Sequence, residues 1–166
     1  MPTASEIERR SEKYLENHLR PALFLPELKS KKKSAVLDEM VAHLALHQVA
    51  RSADAVLEVL RQREALGSTG IGKGIAIPHA RSTMIAERAV LLARSTKGVE
   101  FDAVDGNPVH LIFLIVAPPT DKDPIYLEML AQIVKSVRLA PARRRMLEAP
   151  DFATIQSLIA AQLGDE

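Results

Sequence analysis

At 166 residues, 47% hydrophobic and 26% charged, the chain can bury a sizeable core as one domain, with or without an appendage. A net charge of +1 and 4% aromatic residues supply neither a field that gathers nucleic acid nor platforms for stacked bases, so no nucleic-acid partner is expected. The lack of cysteine excludes disulfides, thiolate zinc sites and a cysteine nucleophile, and fits a reducing compartment.

The N-terminus, MPTASEIERR, is charged and has no apolar signal core. Ser5 and Glu8 form a capping box for a first helix with a weak apolar stripe through Ile7, Ser11, Tyr14 or Leu15, and His18 or Leu19. Ending before Pro21, this helix is marginal alone and needs the domain or a second copy to lie against. Residues 1–20 are therefore read as an N-terminal helical extension and 21–166 as the domain; pairing of two extensions would give a homodimer. Leu23, Phe24 and Leu25 suggest a short strand before Lys29, Lys31, Lys32 and Lys33, a solvated turn in preference to a phosphate-facing patch. Ser34 caps a helix with core stripe Val36, Leu37, Met40, Val41 and Leu44. His43 and His47 stand four apart on it, but no third ligand accompanies them, and no metal site is assigned. Ser52 caps the next helix, with Val56, Leu57, Val59, Leu60 and Leu66 inward, Arg63 in its last turn and Gly67 as its stop.

There follows GSTGIGKGIAIPHAR, Gly67 to Arg81. Gly70, Gly72 and Gly74 free backbone amides that suit phosphoryl oxygens. Ile75, Ile77 and His79 alternate at the period of a strand. Pro78 donates no ladder bond, so pairing is expected to stop at His79, which would stand at the strand's tip. Gly67 to Lys73 also satisfies G-x-x-x-x-G-K. However, Gly74 replaces the magnesium-binding Ser or Thr, and the order is helix then strand, the reverse of a phosphate-binding loop. ATP binding is rejected. A neutral imidazole, with an unperturbed pKa of about 6.5, is a good nucleophile near pH 7, and His79 has Arg63 close in sequence. His79 is the candidate reactive group.

Ala89 to Arg94 reads as a strand, Gly98 to Asp105 as an extended edge or turn, and Asp105 to Pro108 as a turn, with Asp102 and Asp105 capping turns. Val109 to Ala117 is nearly all apolar and should be a central strand covered on both faces. The apolar run to Pro119 contains His110 and is too short to span a bilayer, so no membrane insertion and a cytoplasmic location are expected. After a loop with Asp121 and Asp123, Pro124 opens a helix carrying Ile125, Leu127, Leu130, Ile133, Val134 and Val137. Arg143, Arg144 and Arg145 lie on a short basic helix. Asp151 caps a last one with Phe152, Ile155, Leu158, Ile159 and Leu163. Interleaved strands and helices predict a layered α/β fold with a single mixed β-sheet flanked by helices.

REALGSTGIGKGIAIPHAR, Arg63 to Arg81, and VEFDAVDGNPVHLIFLIVAP, Val99 to Pro118, resemble the fructose/mannitol-type enzyme IIA domains of the bacterial phosphotransferase system (PTS), most closely the nitrogen-regulatory enzyme IIA. The resemblance runs from about Leu23 to Leu163. It implies that His79 accepts a phosphoryl group on Nε2 from a histidine-containing phosphocarrier protein, with Arg63 beside it. The implied protein is a carrier with a covalent phosphohistidine intermediate and no turnover of a small molecule on its own. It needs no cofactor, metal or nucleotide. Two positions depart from the family. Tyr126 stands where a second histidine is usual; its hydroxyl can donate a hydrogen bond but cannot become a cation near neutral pH. His110 replaces an Asp, as a packed strand residue or as a side chain leaning toward His79. Three outputs follow: a nitrogen-type regulator, a transport component donating to an enzyme IIB, or a binding module in which Tyr126 has ended transfer.

Overall fold

The structure, a computed structural model, describes residues 3, 13–120 and 123–164; the expected capping box at Ser5 and Glu8, the stripe positions Ile7 and Ser11, and Asp121 lie outside these. It divides into two compact units, one of residues 20–120 and one formed by the described residues of 1–19 and 121–166.

The larger unit begins with a 3-10 turn, Pro21–Leu23, and the two-residue strand β1, Phe24–Leu25. Helix α2, Lys33–Leu46, starts one residue before the expected cap: Ser34 lies inside its first turn and Lys32 occupies the N-cap. Its stripe Val36, Leu37, Met40, Val41 and Leu44 is buried as the spacing requires. Gln48, at φ 63°, turns the chain out of the helix. Helix α3, Ala53–Leu66, is capped by Ser52, whose Oγ accepts from Ala55 N–H at 3.3 Å. Val56, Leu57 and Leu60 are buried, but Leu66 is 86% exposed because, at 3.6 residues per turn, it falls off their stripe.

The six-stranded sheet runs β1–β5–β6–β3–β2, with β4 also on β6. Its remaining strands are β2 (Gly70–Gly72), β3 (Ile75–Ala76), β4 (His79–Arg81), β5 (Ala89–Val99) and β6 (Val109–Ala117). β5 and β6 are antiparallel, β1 is parallel to β5, and β3 and β4 are parallel to β6. β2 is antiparallel to β3. The sheet is therefore mixed, and α2 and α3 pack on it. β6 is buried along its whole length except at His110, as expected of a near-continuous apolar strand in a sheet centre. β5 is longer than the sequence suggested. It continues past Arg94 through an irregularity in register to Val99, so the residues from Gly98 are strand before they are turn.

β3 and β4 are one interrupted strand. Ile75 pairs with Leu111, and His79 with Ile115, at the same offset. Pro78 has no N–H to give, but its carbonyl accepts from Ile115 N–H at 3.0 Å, which carries the register across the break. The expectation that pairing ends at His79 is corrected: the ladder resumes there and runs to Arg81.

The second unit is helical: α1 (Tyr14–His18), α4 (Asp123–Ser136), α5 (Ala140–Glu148) and α6 (Phe152–Gly164). α1 packs on α4 and α6, and its Leu15 N–H donates to Gln132 Oε1 at 2.8 Å. The α4 stripe differs from the expected one. Leu127 and Val134 are exposed, while Tyr126, Met129, Gln132, Ile133, Ser136 and Val137 are buried. Gln132 and Ser136 can sit there because their polar atoms are bonded, Ser136 Oγ to the Ile133 carbonyl. Asp151 Oδ1 caps α6 by accepting from Thr154 N–H and Oγ1–H at 2.8 and 2.6 Å. Among the described residues no helix is long and apolar enough to cross a membrane.

Candidate functional site

The stretch after α3 folds as a tight hairpin and a broken strand. Lys73 (φ 59°) and Gly74 (φ 78°) form the two-residue turn between β2 and β3, the conformation a hairpin of this length favours. Gly70 lies against Ala103 so closely that a Cβ would stand 2.9 Å from its Cα. Gly72 abuts the Asp105 carboxylate and Gly74 the His110 ring. Asp105 accepts from Lys73 N–H at 2.9 Å and Asn107 N–H at 3.1 Å, and these bonds hold its carboxyl below the usual carboxylate range. The glycines are thus used for close packing. Gly74 precedes His79 by five residues, about 16 Å along an extended chain, so its amide stands away from the imidazole, whereas Gly70 pairs with Ala76, three residues before His79.

His79 opens β4 and is half-buried. Its Nδ1 lies 3.0 Å from the Ile77 carbonyl. A carbonyl only accepts, so Nδ1 carries the proton and Nε2 carries the lone pair of the neutral ring. Ala80 is buried on the opposite face, which places Arg81 on the same face as His79. Sequence reasoning missed Arg81, although the two-residue spacing was available to find it.

The backbone behind His79 is fixed by a chain of bonds. Lys33 Nζ pairs with Glu64 Oε2 at 2.6 Å, and the Glu64 side chain is only 6% exposed. Glu64 also accepts from Thr69 N–H at 3.1 Å and from Thr69 Oγ1–H. The Thr69 carbonyl takes Ile77 N–H at 3.0 Å, and the Ile77 carbonyl takes the His79 ring. Lys33, expected in a solvated turn, is instead a helical residue whose ammonium also lies over the Phe101 ring at 4.7 Å. Arg63, on the helix that packs against β4, donates from Nη1 to the Gly67 carbonyl at 2.9 Å. That bond uses one of the guanidinium's five N–H groups.

His110 is on β6 five residues from Ile115, the partner of His79, or about 16 Å along the strand. Its Nδ1–H donates to the Ser95 carbonyl at 2.8 Å, so it is a packed strand residue and does not lean toward His79. Tyr126 is 7% exposed on α4, in the helical unit. His43 Nε2–H donates to the Ala22 carbonyl at 2.7 Å. Among the described residues no group of three or more His, Cys, Asp or Glu side chains could hold a metal.

A family model described as "Phosphoenolpyruvate-dependent sugar phosphotransferase system, EIIA 2" matches residues 17–162. A nitrogen regulatory protein of Bradyrhizobium diazoefficiens is 35% identical over 140 residues, covering 84% of this chain and 90% of that protein. A nitrogen regulatory protein of Pseudomonas aeruginosa is 33% identical over 145 residues, 87% of this chain and 94% of its own length. A fructose-specific EIIABC component of Bacillus subtilis is 36% identical over 132 residues, 80% of this chain, but the chain spans only 21% of that longer protein. Among solved structures, nitrogen regulatory protein IIA-Ntr from Neisseria meningitidis matches with a TM-score of 0.79 and 27% identity, over 87% of this chain and 97% of that one. IIA mannitol from Escherichia coli shares the fold, with a TM-score of 0.73 and 15% identity over 85% of this chain and 98% of that one.

Proposed function

The chain belongs to the EIIA 2 family of the phosphoenolpyruvate-dependent sugar phosphotransferase system, and on that premise we propose that it is a phosphohistidine carrier of the nitrogen-regulatory type. His79 Nε2 takes a phosphoryl group from a phosphohistidine on a small carrier protein. In that step the donor N–P bond breaks, its electron pair returns to the donor imidazole, and the Nε2 lone pair forms the new bond. Because both bonds are N–P bonds, the protein's contribution is positioning and neutralisation of charge. The observation that carries this reading is the half-buried His79 sharing its face of β4 with Arg81, while the bond from its Nδ1–H to the Ile77 carbonyl leaves the ring's lone pair on Nε2. Arg81 on the same face and Arg63 on the helix against β4 are the cations proposed to meet the phosphoryl oxygens. Addition of about −1.5 to −2 charge at His79 would then change which regulatory targets the surface accepts.

The two nitrogen regulatory relatives are matched over 90% and 94% of their length, against 69% for a fructose-specific EIIA component of Haloferax volcanii, which favours a regulatory output. The fructose-specific relative supports a second reading, donation to an enzyme IIB. A mannitol-type neighbour at 15% identity, with a TM-score of 0.72, was solved in complex with phosphorylated enzyme IIB. Incubation with phosphoenolpyruvate, enzyme I and the phosphocarrier should label the protein once, and His79→Ala should remove the label. An unlabelled wild type would leave the binding-module reading, with Tyr126 in place of the second histidine. Retention of label in His79→Ala would refute the site, and onward transfer to an enzyme IIB would favour transport.

A further inference from the structure

The geometry points to a second binding site, for a small oxyanion bearing two or more negative charges, in a cavity of about 350 Å3 lined by Glu27, Leu28, Lys29, Lys31, Ser95 and Lys97. The cavity lies between the loop after β1 and the irregular part of β5. Ser95 is five residues from Val90, which pairs with Ile115, so the cavity is about 16 Å along the sheet from the row that holds His79.

Two features separate this cavity from an ordinary patch of surface lysines. Its backbone walls are fixed from several directions. Leu28 N–H donates to the Arg94 carbonyl at 2.8 Å, and Arg94 Nε–H returns to the Pro26 carbonyl at 2.9 Å. Glu100 N–H donates to the Lys31 carbonyl at 2.8 Å. On the β5 side, Gly98 N–H donates to Ser95 Oγ at 3.1 Å, and the Ser95 carbonyl takes the His110 ring. Such a frame pays little ordering entropy when a ligand enters.

The second feature is the state of the charges. Glu27 is committed to Thr96, accepting from its N–H at 3.0 Å and its Oγ1–H at 2.8 Å. Glu39, the nearest acid on α2, is committed to the N–H groups of Lys29 and Ser30. The ion pairs among the described residues involve Arg20, Lys33 and Arg61, and none involves Lys29, Lys31 or Lys97. The lining thus carries three lysines outside any ion pair among the described residues against one carboxylate, Glu27, which keeps its charge while bonded to Thr96. Ammonium groups meet phosphate or carboxylate as point charges and do not demand one oxygen geometry. The volume, at the lower end of ligand-cavity sizes, suits a small metabolite and not a polymer.

The test titrates the full, unphosphorylated chain with pyrophosphate and, separately, with citrate in a buffer free of both, following backbone amides by NMR. The expected result is saturable shifts at Lys29, Lys31, Thr96, Lys97 and Gly98 with at least one of the two probes. Saturation by pyrophosphate alone assigns a phosphate ligand, and saturation by citrate alone a carboxylate one. Lys29→Gln with Lys97→Gln should weaken binding about tenfold or more, while His79→Ala binds as wild type, so the outcome is independent of the phosphocarrier reading. Both lysines are exposed, and an unchanged urea midpoint confirms that the fold is intact. Lys31→Gln gives a second, single-site measure. Shifts that never saturate, that appear equally at Lys32 and Arg144, or that persist unchanged in the double variant would overturn the site.

Discussion

His79 and His110 make the same bond in different company. Each donates Nδ1–H to a backbone carbonyl, at 3.0 Å to Ile77 and 2.8 Å to Ser95, so each neutral ring has its lone pair on Nε2. The difference lies in what surrounds the ring. His110 fills the space left by two glycines. A Cβ on Gly98 would meet its Cε1 at 3.1 Å, and one on Gly74 its Cδ2 at 3.5 Å. His79 is half-buried on a strand that shares its face with an arginine. A fixed tautomer is therefore not by itself a functional signal; the surroundings of Nε2 decide. Gly74 and Gly98 thus accommodate the packed His110 ring.

The widest break in that comparison is expected in labelling, where His79→Ala should lose the phosphoryl group and His110→Ala keep it. Next comes the support behind His79. Glu64→Ala leaves Lys33 partly buried without its partner and frees Thr69, at a cost of about 3 kcal/mol. The urea midpoint should fall accordingly. Hydrogen exchange should quicken at Ile77 N–H, bonded to Thr69, before it does at His110 N–H, bonded to Gly74. Equal protection at the two ends would show that the Lys33–Glu64–Thr69 chain does not hold the His79 end. A smaller effect is expected of Gly98→Ala, whose new methyl would stand 2.8 Å from Pro108 Cβ at a backbone φ of +91°, costing about 2 kcal/mol. Because His110 is the other crowded neighbour, Gly98→Ala and His110→Ala together should cost less than their sum by about 0.5 kcal/mol or more. Strict additivity would mean that the glycine is not there for the ring.

Much of the fold was legible because its signals are local. The α2 stripe, the Ser52 and Asp151 caps and the apolar β6 all follow from periodicity or capping chemistry within one segment. The order of helix before the glycines and strand after them was likewise readable within the segment. The misread features depend on residues distant in sequence. Pro78 signalled a strand end, but the ladder resumes because its carbonyl still finds Ile115. The glycines suggested an anion cradle, whereas what they face, Ala103, Asp105 and His110, comes from a later segment. Lys33 sat in a lysine run that resembled a solvated turn, and only its approach to Glu64 reveals a structural role. On α4 the periodic reading chose apolar side chains and missed Gln132 and Ser136, whose burial depends on bonds no stripe can display.

Arg81 supplies the finest distinction between the two histidines. It stands two residues from His79 on the same face of β4, about 7 Å between Cα atoms, within reach for a guanidinium to meet a phosphoryl oxygen on Nε2. His110 is followed by Leu111 and Ile112, so its strand offers no such cation. A charge that meets a phosphoryl oxygen in the transition state acts mainly on the rate. Arg81→Gln should therefore slow transfer from the phosphocarrier by about tenfold, or about 1.4 kcal/mol in the barrier, with the urea midpoint held. Arg81→Lys should recover part of the loss, because an ammonium keeps the charge without the fork. A Gln variant that labels at the wild-type rate would move the neutralising role to Arg63 alone. One that labels slowly because it has partly unfolded would be exposed by the midpoint, and Arg81→Lys at the same midpoint would still separate charge from packing.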